Sequence, residues 1–381
     1  MRFLKEFLFL SLLMIVGCQG DEKKDGDETR LLPQKNQFEK VIGGKKTSLF
    51  YLSNDSGMKA AITNYGGRVV GLIVPDKEGK PVDVVLGFAS IDEYQASAEP
   101  YYGALIGRVG NRITNGRFSI GGVDYTVTRN NGPNTLHGGA MGFHSVVWDA
   151  EQESDSSLIL KYFSPHGEEG FPGNLEVKVV YTLSSGNWLE MKYWAKTDAL
   201  TPVNLTNHAF FNLNGEGSGT INNHIMMIDA GFYTPVDSML IPTGELRFVE
   251  NTPFDFRIPV KIGSRLGTSA CVQLKYGHGY DHNFALNPSE EKVSLAARVR
   301  GDKTGIVMSV YTNEPGLQFY GGNFMKSENR LKSGVDDHFR TAFCLETQHF
   351  PDAVNQPGFP SVLLDKGEVF NSVSIYEFDV K

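Results

Sequence analysis

Cysteine is nearly missing from this chain, with three in 381 residues. A disulfide-built fold is thereby excluded, and Cys271 and Cys344, distant in sequence, do not by themselves establish a bridge. Positive charge is in deficit: the net charge is −8 and no basic stripe occurs, which excludes nucleic acid as a partner. The apolar run Phe7 to Val16 spans ten residues, too few to cross a bilayer as a mature helix. No HExxH, CxxC or EF-hand loop is present, so no metal ligand set is expected. Serine-hydrolase elbows and the glycine motifs of Walker and dinucleotide sites are missing too. Helical periodicity is never sustained over three turns, and strands do not alternate regularly with helices, which argues against a parallel α/β fold.

What the chain does have points to strands and turns. Glycine is abundant at 42 residues and aromatics make up 11%, while 40% hydrophobic content is ample for a core. Period-two alternation recurs, most cleanly in Leu175-Glu176-Val177-Lys178-Val179-Val180-Tyr181-Thr182-Leu183, again from Val293 to Arg300, and more loosely from Ile306 to Tyr311. Turn signals separate these runs, among them Asp76-Lys77-Glu78-Gly79, Gly121-Gly122 and Ser184-Ser185-Gly186-Asn187. With no internal linker or repeat, one all-β domain is expected over residues 37–381, a large antiparallel β-sandwich.

The amino terminus is a separate unit. A basic start, Met1-Arg2-Phe3-Leu4-Lys5, precedes the apolar run, which suits a signal peptide over residues 1–17. Ile15-Val16-Gly17-Cys18 resembles a bacterial lipobox, which makes Cys18 the lipidated residue; in a plain secretory signal Cys18 would be incidental. Asp21 to Glu28 carries mixed charge and no apolar residue, so residues 18–36 form a solvated tether. The expected location is outside the cytoplasm, as a membrane-anchored lipoprotein in the periplasm or at the cell surface. The anchor would be the chain's only membrane contact.

Three polar groups stand in unusual settings. Glu346 interrupts the apolar and aromatic run Phe343-Cys344-Leu345-Glu346-Thr347-Gln348. His208 is surrounded by Asn204, Thr206, Asn207 and Asn212 among Leu205, Phe210 and Phe211, and so many polar side chains are costly to bury unpaired. His137 precedes Gly138-Gly139, where missing side chains would let a ligand approach the backbone. One candidate base and two candidate acids make an acid/base site. The tract Gly107-Arg108-Val109-Gly110-Asn111-Arg112 adds an amide and a guanidinium fork, against the alternative of a turn with solvent-exposed arginines. Tyr280-Asp281-His282-Asn283 and Gly316-Leu317-Gln318-Phe319-Tyr320-Gly321-Gly322-Asn323 set further polar groups among aromatics, the combination a sugar's hydroxyl edges and C–H faces require. His278 and His282 lie four apart, but Gly277 and Gly279 argue against a helical metal pair.

Taken in order, these tracts resemble the galactose mutarotase (aldose 1-epimerase) family: Gly107 to Ile113, Leu136 to Gly139, Asn204 to His208, Tyr280 to Asn283, Pro315 to Tyr320, and Leu345 to Gln348 followed by Pro351 to Asn355. The resemblance covers roughly residues 37–380. It implies the family's supersandwich of antiparallel strands, a monosaccharide substrate and no cofactor. It assigns catalysis to Glu346, His208 and His137, and sugar contacts to Asn111, Arg112, Asp281 and Gln318. The departures are Gly110, Ala209 and Gly321, where alanine, serine and threonine are usual. By acid/base logic, ionised Glu346 would take the anomeric proton of a free aldohexose such as galactose or glucose while protonated His208 gives one to the ring oxygen. Each group contributes about 10²–10⁴-fold. A charged His208 requires a pKa near or above the usual value of about 6.5. The competing readings are a non-catalytic carbohydrate-binding lipoprotein, an enzyme of sugar phosphates, and a glycoside hydrolase or lyase. Oligomeric state is not legible in the sequence.

Overall fold

The structure, a computed structural model, describes residues 31–268 and 270–381. The expected signal segment, Cys18 and the tether as far as residue 30 lie outside the described residues. Packing begins upstream of Gln37: Leu32 is buried with Phe38 in one apolar cluster, and the Pro33 carbonyl accepts a hydrogen bond from the Tyr51 hydroxyl.

Strands dominate, in antiparallel sheets. The largest has nine, in the order Asp149–Ser154, Ser157–Ser164, Leu175–Leu183, Trp188–Thr197, Val369–Val380, Ile306–Thr312, Ser294–Arg300, Ile225–Ile228 and Val260–Lys261. The expected alternation in Leu175–Leu183 is real: every odd position is buried and every even one is at least partly open. Its partner Trp188–Thr197 alternates in step, setting Val179 opposite Tyr193 and Tyr181 opposite Met191. A four-stranded sheet runs from Leu49–Ser53 to Pro81–Asp83. Short helices add little mass; Ile91–Ala96 starts where Ser90 Oγ accepts from the Glu93 N–H at 3.3 Å, a capping contact.

A five-stranded sheet, ordered Arg247–Phe248, Ala230–Tyr233, Asp281–Leu286, Gly316–Tyr320 and Cys344–Gln348, carries the polar tracts. Its register sets Asp281 opposite Tyr320, Asn283 opposite Gln318, Gln318 opposite Glu346, and Tyr320 opposite Cys344. Because side chains alternate along a strand, these polar residues share one face. The other face sends Phe284, Leu317, Phe319 and Leu345 into the main core. That core also takes Leu52, Ile62 and Leu72 from the four-stranded sheet and Leu158 and Val179 from the nine-stranded one. At roughly 1.5–3 kcal/mol per buried large aliphatic or Phe side chain, the apolar face pins the register. A one-residue slip would drive Glu346 into the core.

Candidate active site

The polar face of the five-stranded sheet forms one wall of a small cavity, and segments around residues 99–101, 111–112, 136–137, 208 and 324 form the rest. Thr206–Asn207 pairs with Leu105–Ile106 and brings in His208. Arg112–Ile113 pairs with Thr135–Leu136, with Leu136 opposite Arg112, and so sets His137 beside Asn111. Asn111, Arg112, His137, His208, Asp281 and Glu346 all line this cavity of about 80 Å³. Six of the seven sequence-predicted catalytic and binding residues thus meet. Gln318, the seventh, is on the same polar face but not in the cavity lining: it donates from Nε2 to Asp281 Oδ1 at 2.6 Å.

His208 Nε2 lies 3.7 Å from Glu346 Oε1, with both side chains almost wholly buried. On the other side of the ring, His208 Nδ1 meets Cys344 Sγ at 3.5 Å. His137 is held by a reciprocal clasp. Its N–H donates to the Asn111 carbonyl at 3.0 Å, and the Asn111 N–H donates back to His137 Nδ1 at 3.2 Å. Both residues have left-handed backbone, φ 52° for His137 and 60° for Asn111, a local strain of the kind that gathers at functional sites. With Nδ1 accepting, the neutral His137 ring carries its proton on Nε2. Tyr101 buttresses the histidines, its ring centroid 4.6 Å from that of His137 and 5.8 Å from that of His208. Arg112 pairs with Asp281 at 3.8 Å.

The electrostatics overturn one expectation. Burial pushes His208 down to about 4, not up towards a standing positive charge. Burial likewise holds His137 well below its ordinary value, helped by His208, Arg112 and His144 nearby. Glu346 moves the other way: burial, with Asp281 adding to it, raises its carboxyl well above the usual range, and Arg112 only partly offsets this. The cause is common, since a desolvated site disfavours each charged form. Burial therefore favours the neutral form of each partner, a protonated Glu346 beside an uncharged His208.

Ligand atoms of His137, His208 and Glu346 fall within 4.8 Å of one another, a spacing that can hold a divalent metal where sequence motifs suggested none. The Asn111 N–H opposes that use, because it leaves His137 Nε2 a donor instead of a lone pair.

Other tracts serve the scaffold. Arg108 is not a solvent-exposed turn residue: it is 2% exposed and donates to the carbonyls of Pro172, Gly173, Ser164 and Pro165. Gly138 and Gly139 make room for protein and not for ligand. A Cβ on Gly138 would stand 1.9 Å from the Gly107 carbonyl oxygen, and one on Gly139 2.1 Å from the Glu169 carboxylate. His282 is fully buried, with Nε2 3.2 Å from Gln273 Oε1, and Asn323 donates to the Tyr280 carbonyl. Sequence reasoning missed Glu99, Tyr101, Leu136, Tyr320 and Phe324, all of which line the cavity. Leu136 and Tyr320 lay inside tracts already singled out, the aromatic pair Tyr101-Tyr102 before Gly103 was a further local signal, and Glu99 and Phe324 had none.

The Aldose 1-epimerase family model matches residues 48–377. Galactose mutarotase of Rattus norvegicus is 45% identical over 338 residues, covering 89% of this chain and 96% of the relative. Aldose 1-epimerase of Escherichia coli K12 is 36% identical, with 88% and 96% covered. Among solved structures, a GalM/aldose epimerase homologue from C. elegans superposes with a TM-score of 0.81 at 30% identity, covering 88% of this chain and 99% of that one. A galactose 1-epimerase from Lactobacillus acidophilus NCFM gives 0.77 at 28% identity, with 90% and 97% covered. With a fold, a polar cavity and a match along nearly its whole length in agreement, the chain belongs to the aldose 1-epimerase family.

Proposed function

We propose that this cavity interconverts the α and β anomers of free aldohexoses, galactose and glucose among them, and that Glu346 and His208 carry the proton transfers. The observation that carries the reading is the buried carboxylate–imidazole pair, 3.7 Å apart and open to one small polar cavity. Ring opening removes the proton of the anomeric hydroxyl to Glu346 and delivers one from His208 to the ring oxygen. The C1–O5 bond breaks and C1 becomes an aldehyde carbon. Rotation about C1–C2 exposes the other carbonyl face. Closure then returns the Glu346 proton to the carbonyl oxygen while His208 takes the proton of the O5 hydroxyl.

Glu346 protonated with His208 neutral, the state favoured by burial, is the form that matches the open-chain sugar. Moving that one proton to His208 gives the form that matches the ring. Both forms hold the same number of protons, so a full cycle needs none from solvent. The His137 Nε2–H is a donor for the ring oxygen or a neighbouring hydroxyl. Arg112 and Asp281, the latter steadied by Gln318, hold the remaining hydroxyls in register with Asn111.

The test is the anomerisation of freshly dissolved α-D-galactose and α-D-glucose, followed by polarimetry. Glu346→Gln should lower kcat about 10²–10⁴-fold while sugar binding persists. Equal rates for wild type, variant and buffer, with sugar still bound, would instead leave a carbohydrate-binding lipoprotein. We also infer export and lipid attachment at Cys18, which the basic start, the short apolar run and the lipobox-like Ile15-Val16-Gly17-Cys18 support.

A further inference from the structure

The small cavity has a larger neighbour. This is a vestibule of about 730 Å³, and five residues line both: Glu99, Tyr101, Arg112, Leu136 and Phe324. They form a shared neck between the two cavities. Two of the five are acidic or basic, and only one of those has an ion-pair partner among the described residues. Arg112 has Asp281 at 3.8 Å. Glu99 accepts from the Tyr101 N–H through Oε1 at 3.2 Å, and neither of its oxygens meets a cation within ion-pair distance among the described residues. The rest of the vestibule lining adds no Asp, Glu, Lys or Arg. Its histidines are His144, held near 3 by burial and so neutral, and His278, whose ring lies against Phe324.

Glu99 is also held in place. Ser97 Oγ donates to the Glu99 carbonyl and accepts the Glu99 N–H, at 2.8 and 3.1 Å. The Ala98 N–H donates to Asn329 Oδ1, and Asn329 is locked by two hydrogen bonds to the buried Asp337. A braced loop that presents a carboxylate with no ion-pair partner at the neck is unneeded by the proton transfers described above.

We propose that Glu99 is a specificity-determining charge filter at this neck, which disfavours sugar acids and favours neutral aldoses and protonated amino sugars. The inference rests on the anomerisation reading and adds the charge class of the substrate. A carboxylate repels an approaching uronate and attracts an ammonium, and one such interaction at a few ångström in partly screened surroundings is worth about tenfold in specificity. Burial and Asp337 raise the Glu99 carboxyl to about 7, so the filter strengthens as pH rises through neutrality. Arg68 opposes that rise from behind, and Glu346 faces Glu99 across the cavity. Tyr101, Tyr102, Tyr320 and the Cys344 thiol, also nearby, are all pushed upward by burial and stay uncharged in this range.

The experiment compares kcat/KM for galacturonate, galactosamine and galactose in wild type and in Glu99→Gln. Expressing each as a ratio to galactose cancels the titration of Glu346 and His208, and galacturonate stays ionised throughout. In wild type the galacturonate ratio should fall about tenfold between pH 5.5 and 8.5. In the variant it should be flat and about tenfold higher at pH 8.5, while the galactosamine ratio at pH 7 drops severalfold. Wild type that handles galacturonate as well as galactose at pH 8.5, or ratios unchanged by the substitution, would overturn the filter. Should Glu99→Gln fail to fold, the wild-type pH series is read alongside His278→Gln, which removes the second of the vestibule's histidines. Loss of galactose anomerisation in wild type itself would strike the catalytic reading and not Glu99.

Discussion

Glu346 and His208 titrate as a pair, because each is buried and they lie 3.7 Å apart. Between the two limits the pair holds a single proton, which is what both ring opening and closure need. Below about pH 4 a second proton reaches His208 and the pair has no base. Above the raised pKa of Glu346 the last proton leaves and the pair has no acid. The expected kcat/KM for galactose is therefore bell-shaped, with its acid limb near 4 and its alkaline limb set by the raised carboxyl of Glu346. An acid limb near 6.5, the ordinary histidine value, would show that His208 is solvated in the working enzyme and that its role has been misread. This protonation state is beyond the reach of sequence. The types Glu and His were legible at 346 and 208, but burial depth, which sets who keeps the proton, is a tertiary property.

At the scale of elements, legibility followed the range of the interactions. Leu175–Leu183 could be read as a strand because its period is local and one of its faces meets the core. Glu346 could be read for the same reason: Leu345 and Glu346 point to opposite faces of one strand. The neck could not, since Glu99 and Phe324 come from loops far apart in sequence with no shared pattern. Gly138-Gly139 was legible as special but not in its purpose. Gly138 combines φ +84° with a Cβ position 1.9 Å from the Gly107 carbonyl, next to the clasp that aims His137. Gly138→Ala should push this loop off the Gly107 segment. Misplacement by about 1 Å is enough to cost about 10² in kcat/KM. Gly79→Ala is the control: its φ of +76° is similarly strained, but nothing lies within 4 Å. The control should lose about 1 kcal/mol of stability in urea titration and keep its kcat/KM. Equal activity loss in both would mean that backbone strain, and not the crowded site loop, governs the effect.

For the molecule as a whole, the question is what holds it where it works. The chain carries a net charge of −8, so an anionic lipid surface repels it. Among the described residues no helix is long and apolar enough to cross a membrane. Lipid on Cys18 would then be the main attractive term, and a doubly acylated cysteine is strong enough to anchor where a single chain is marginal. From Cys18 to the first buried side chain, Leu32, the chain reaches at most roughly 50 Å at about 3.6 Å per residue. The catalytic body would sit close to the membrane without needing to touch it. Cys18→Ala should move the protein from the membrane fraction to the soluble fraction and abolish labelling by a fatty-acid analogue. The kcat/KM for galactose should not change, because the residues that line the cavity run from Glu99 to Glu346, far from Cys18 in the chain. A variant that stays with the membrane would refute lipid anchoring. It would point instead to an uncleaved apolar segment or to a surface contact of the body itself, which raised salt would weaken only in the second case.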